Sequence, residues 1–121
     1  MAAFVMAFGI ATSIIALQMG FRGIDTARSN TLASQIMQSE IERLRLMAWG
    51  SSSDASGTSI MSMPASETVD ISTMFTANAA VTSKFSVTRA VATNGSHSDM
   101  KDITITVSWR GYDGKSHTRT F

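Results

Sequence analysis

Met1 to Phe21, MAAFVMAFGIATSIIALQMGF, carries no charged side chain, and its only polar ones are Thr12, Ser13 and Gln18. A helix over this run, rising about 1.5 Å per residue, is about 32 Å long, close to the thickness of a bilayer's hydrocarbon core. Phe4, Phe8, Ile10, Ile14, Ile15, Leu17 and Phe21 are spread all round it, so no face of it suits water. Such a helix belongs in lipid or at the centre of a bundle of other helices.

The small residues point to the second destination as well as the first. Ala3, Ala7 and Ala11 recur every fourth residue along one stripe, and Thr12, Ala16 and Gly20 do so along another. Small residues at that spacing let helix backbones approach closely, which drives association where lipid tails are already as apolar as leucine. Gln18 is costly in hydrocarbon unless something satisfies its amide, and a neighbouring helix would do so. A plain single-span anchor with incidental alanines and glycines fits the same residues. A secretory leader would carry positive charge before the run and a small-residue cleavage site after it. No Lys or Arg precedes Arg22, so the expectation is a retained helix.

Helical spacing continues beyond Phe21 but changes character. From Arg22 to Trp49 there is no proline, and Ala33, Met37, Ile41, Leu44 and Ala48 form one apolar stripe, widened by Leu32, Ile36 and Leu46. Ser29, Asn30, Ser34, Gln35, Gln38, Ser39, Glu42, Arg43 and Arg45 occupy the other sides. Asp25 with Arg28, Glu40 with Arg43, and Glu42 with Arg45 are three apart, as surface ion pairs on a helix would be. Arg43 and Arg45 suit the negative helix end, and Gly50 suits its termination. Gly20 and Gly23, each costing about 1 kcal/mol relative to alanine, predict a bend or fray between the two halves. The expectation is one helix over residues 1–49, about 70 Å long, of which a small domain has use for only half.

Gly50 to Ser66 reads as a loop, rich in Ser and Gly and holding the only proline, Pro64; Ile60, Met61 and Met63 predict that part of it packs down. About 67–121 reads as strands. Val69, Ile71 and Phe75 share one parity; Phe85, Val87 and Val91 alternate with Ser86, Thr88 and Ala90; Ile103, Ile105, Val107 and Trp109 alternate with Thr104, Thr106, Ser108 and Arg110. Asn94-Gly95 and Gly111-Tyr112-Asp113-Gly114 punctuate them as turns, and Lys115–Phe121 has the polar character of an edge strand. The predicted class is α+β: a head of residues 22–121 in which an antiparallel meander is covered by the amphipathic half-helix. Its predicted core is Ile36, Met37, Ile41, Leu44, Ile103, Ile105, Val107 and Trp109.

This layout resembles a type IV pilin or type II secretion pseudopilin, a ladle whose long helix is laid by its second half on an antiparallel sheet. ASQIMQSEIERLRLMAW (Ala33–Trp49) is similar to the helix end of minor I- or V-type pseudopilins. DITITVSWRGYDGKSHTRTF (Asp102–Phe121) is similar to their closing hairpin. The family's processing glycine and glutamate would fall upstream of Met1-Ala2-Ala3-Phe4-Val5, so neither role passes to a residue here. The resemblance implies a subunit held in the inner membrane and then drawn by assembly machinery into an extracellular helical filament of identical copies. Its apolar helices would form the core, through Phe4, Phe8, Ile10, Ile14, Ile15, Leu17, Gln18 and Phe21, with Ala3, Ala7, Ala11, Ala16 and Gly20 as close-packing positions. Pilus and secretion pseudopilus, and major and minor subunit, stay open. So does a membrane-anchored binding module.

Chemistry is sparse in the rest of the chain. The absence of cysteine excludes disulfides, thiolate metal sites and cysteine nucleophiles, and the net charge of +1 excludes a general attraction to nucleic acid or acidic membrane while leaving room for local patches. His97 with Asp99 and Asp102 has the makings of a metal site, but a Ser/Asp turn favours a solvated loop. Asn94-Gly95-Ser96 matches an N-glycosylation acceptor, a short pattern that arises by chance. Lys84, Arg89, Lys101, Arg110, Lys115 and Arg119 would make either a basic patch or an ordinary solvated face, the latter favoured. Trp49 and Trp109 are expected near the helix–sheet seam. The serines lack a base, and neither an enzyme nor a cofactor is expected.

Overall fold

The computed structural model describes residues 2–50, 59–74 and 79–121, with Val81 described by its backbone alone. Helix α1 runs over Ala2–Arg45, followed by a 3₁₀ turn at Ile60–Ser62, strand β1 at Ser66–Thr68, a short helix α2 at Ala79–Thr82, and strands β2 (Phe85–Thr93), β3 (Lys101–Arg110) and β4 (Ser116–Thr120). The sheet order is β1-β2-β3-β4, antiparallel throughout, and α1 packs on it chiefly through β3. The class is α+β, one long N-terminal helix with a four-stranded meander.

The meander follows from the alternation. In β2, Phe85, Val87 and Arg89 face inward while Ser86, Thr88 and Ala90 face out; in β3, Ile105, Val107 and Trp109 are buried. Register pairs Phe85 with Trp109, Val87 with Val107 and Arg89 with Ile105, so inward residues meet across the strands. Onto them α1 lays Ala33, Ile36, Met37 and Leu44, with Leu32 and Ile41 at the margin, as Ile103 is on the sheet side. Each large apolar side chain so enclosed stabilises the head by about 1.5–3 kcal/mol.

Several expectations are corrected. The helix ends at Arg45, four residues short of Trp49. The Leu46 N–H is shared between the carbonyls of Glu42 and Arg43, Met47 N–H bonds to Leu44, and Ile60 N–H takes the carbonyl of Ala48. The tightened turn buries Met47 and leaves Leu46 85% exposed and Trp49 48% exposed, so neither belongs to the seam, whereas Trp109 is buried there as expected. The fray expected at the glycines is absent, since the hydrogen-bonded helix runs unbroken through Gly20 and Gly23: a glycine lowers helix stability without removing a backbone hydrogen bond. Ile60 and Met63 pack down but Met61 faces out. Val69 and Ile71 are buried in the core without being strand. The strand is Ser66–Thr68 just before them, an exposed trio that its pairing to Thr88–Ala90 makes into β1. Phe75, the third member of that expectation, lies outside the described residues.

The β3–β4 turn is closed by a Gly111 N–H to Lys115 carbonyl bond of 2.9 Å and by Gly114 in the left-handed region, φ 76°. A Cβ on Gly111 would come within 2.6 Å of Asp113 Oδ1 and 2.9 Å of His117 Nε2, so a side chain there would have to displace the Asp113 carboxylate and the His117 ring that fold back over it.

Candidate functional site

The helix divides where its charge begins. One helix among the described residues, α1, is long and apolar enough to cross a membrane, and none of its apolar window is buried by the rest of the chain. Phe4, Phe8, Ile10, Ile14, Ile15, Leu17 and Phe21 are all exposed, as are Ala3, Ala7, Ala11, Ala16, Gln18 and Gly20. A Cβ built on Gly9, Gly20 or Gly23 meets nothing within 4 Å. Among the described residues no neighbour requires those glycines to be small. The hydroxyls on this half are satisfied by the helix itself: Thr12 Oγ1 donates to Phe8 and Gly9 carbonyls at 3.0 Å, and Ser13 Oγ to Gly9 at 2.8 Å. That leaves Gln18 as the polar side chain of this stretch with no hydrogen bond among the described residues, so an apolar surrounding is tolerable everywhere else along it.

Where the helix meets the head, three elements converge on one carboxylate. Lys84 Nζ, at the entry to β2, lies 3.1 Å from Asp25 Oδ1 and donates also to Ser29 Oγ at 3.2 Å. Tyr112 N–H, in the β3–β4 turn, donates to Asp25 Oδ2 at 3.2 Å. Asp25 therefore pairs with Lys84, not with the neighbouring Arg28, and Ser29 is buried beneath it instead of facing solvent. The Lys84 ammonium, helped by the Tyr112 amide, holds the Asp25 carboxyl below its usual range. A lowered folded-state value means stability gained above the ordinary value of about 4 and lost as pH falls through the lowered one. Replacing Asp25 by Asn is expected to cost about 1 kcal/mol near neutrality and to flatten the acid limb of a stability–pH curve. The loss should shrink towards zero in strong acid; a constant loss at every pH would count against the ion pair.

Deeper in the seam lies a buried ionic group that the sequence reading assigned to the surface. Glu40 is 0% exposed and Arg89 only 3%. Arg89 Nη1 lies 3.5 Å from Glu40 Oε2, and its Nη2 bonds to Glu67, its cross-strand neighbour on β1. Glu40 Oε1 is 3.4 Å from Arg43 Nε but has no hydrogen bond. The signals were there: Arg89 has the inward parity of Phe85, Val87 and Val91, and Glu40 lies four residues from both Ile36 and Leu44. Arg89 is thereby removed from the supposed basic patch. Lys84 is committed to Asp25, Lys101 to Thr93 Oγ1 and Arg110 to the Gly114 carbonyl.

The β2–β3 turn is occupied with itself. Asn94 Nδ2 reaches both oxygens of Asp102 at 3.0 and 3.1 Å, while its Oδ1 takes the amides of Ser96 and His97. Among the described residues no three His, Asp or Glu side chains stand together as metal ligands would. His117 instead stacks on Trp109, ring centroids 5.6 Å apart, with Asp113 at 3.6 Å from its Nε2.

The architecture, a long apolar N-terminal helix leading into an antiparallel sheet, is pilin-like. No family model, curated protein or solved structure matches the chain.

Proposed function

We propose that this chain is a structural subunit of an extracellular, type IV pilus-like filament, polymerising through its apolar N-terminal helix and without a catalytic role. It waits in the inner membrane and is then drawn out by assembly machinery to pack among identical copies. The observation that carries the reading is the helix's division of labour. Residues 25–44 complete the head's core, while the apolar run that ends at Phe21 is left uncovered by the other described residues. Lipid and a bundle of like helices are equally apolar, so transfer between them costs little hydrophobic energy. In water each exposed large side chain would cost about 1.5–3 kcal/mol. The resemblance of Ala33–Trp49 and Asp102–Phe121 to stretches of pseudopilins supports the same reading.

Electron microscopy of material sheared from cells, with the chain identified by antibody labelling, tests the proposal. Thin filaments that contain the chain, persist in buffer and dissolve in mild detergent are expected. Chain that stays in the membrane fraction with no labelled filament would replace this reading by that of an anchored pseudopilin or binding module.

A further inference from the structure

We propose that the cleft between the β3–β4 turn and the Gln18–Thr26 stretch of α1 binds the phosphate of an anionic phospholipid headgroup, seating the head on the bilayer surface before polymerisation. The inference rests on the reading of Met1–Phe21 as a membrane span. The last apolar residue of that run, Phe21, and the first charged one, Arg22, line a cleft of about 440 Å³ together with Gln18 and Tyr112. A second cleft of about 300 Å³ adjoins it, lined by Arg22, Thr26, Tyr112, Asp113 and Lys115. From Phe21 to Thr26 is about 8 Å along a helix axis, roughly the depth of a headgroup layer. When residues 1–21 are in hydrocarbon, these clefts stand at its edge.

The residues there have the chemistry of that boundary. Tyr112 is 78% exposed, an aromatic ring with a polar tip of the kind enriched at membrane interfaces. Arg22 and Lys115 make no ion pair among the described residues. Asp113 is the one anion in the cleft, but its carboxylate already accepts the Lys115 amide and faces His117. Two cations against one engaged carboxylate favour an anionic guest. The turn is held at this height: the Tyr112 amide is bonded to Asp25, which Lys84 also grips. Tyr112 and Lys115 thus stand beside the helix whichever way the apolar half is surrounded.

The test uses the full chain reconstituted in mixed phosphatidylcholine and phosphatidylglycerol vesicles, with trace spin-labelled forms of each lipid. Motionally restricted phosphatidylcholine reports that the helix is in the bilayer; the preference for phosphatidylglycerol reports the site. The expected preference is about fivefold, rising if both cations engage one lipid. Arg22→Gln with Lys115→Gln should bring it close to unity while the restricted phosphatidylcholine is unchanged. Lys101→Gln, at the opposite end of β3, should leave it intact. A wild-type preference near unity, or one lost equally in Lys101→Gln, overturns the site while the spanning reading stands. Abolition by inorganic phosphate at matched ionic strength also overturns it, in favour of a soluble ligand. Absence of any restricted lipid overturns the spanning reading itself.

Discussion

Replacing Arg89 by leucine is expected to destabilise the head by about 3–5 kcal/mol, because Glu40 is then left in the seam without the partner that justified its burial. A domain of about a hundred residues has about 5–15 kcal/mol in all, so the variant should lose about 15 °C or more in melting temperature. Trp109, buried beside Phe85, gives the fluorescence signal for unfolding in detergent. The double variant Glu40→Leu with Arg89→Leu should recover most of the loss. Glu67 and Arg43 are each about half exposed and regain water, while two apolar side chains fill the gap. Were the single variant to lose less than about 1 kcal/mol, the seam would have to be wet in solution. This pair ties α1 to β1 and β2 at one point, so it orients the protruding helix as well as stabilising the head.

The second large effect is expected in the apolar half. Ala7→Leu with Ala11→Leu raises the hydropathy of the span, so insertion into the membrane should be undiminished. Within the structure both positions are exposed and the head cannot be strained. On the filament reading, each added side chain overfills a close helix contact at about 1–3 kcal/mol, repeated in every subunit. Filament yield should fall at least about tenfold, with membrane content and the melting of the head unchanged. Filaments at wild-type yield would show that the Ala3, Ala7, Ala11 stripe is not a contact. Loss of the protein from the membrane would be the wrong phenotype altogether, since the substitution only adds apolar surface.

The two halves of α1 were unequally legible. Uncharged Met1–Phe21 declares itself residue by residue, and so does β3, whose alternation from Ile103 to Arg110 has no fault. Other elements carried no local signal. Ser66–Thr68 is strand only because β2 offers it a ladder, and Val69, which has the right parity, keeps one more bond to it, from its N–H to the Val87 carbonyl, before Ile71 turns into the core. The helix α2 is four residues long, too short for any period to register. Trp49 was expected near the helix–sheet seam as the end of one continuous helix, yet the helix had already ended at Arg45.

Side-chain chemistry and its spacing along the chain dictated the uncharged rod, the amphipathic continuation and the alternating strands, because each is a periodicity of neighbours a few residues apart. Which charges are enclosed was decided only when the elements met. Glu40 looked like half of an exposed pair with Arg43 until β2 brought Arg89 across from 49 positions away. Asp25 likewise waited for Lys84 and the Tyr112 amide. Period is written locally, whereas burial and partnership are properties of the surface that folds over a residue, and that surface comes from distant sequence.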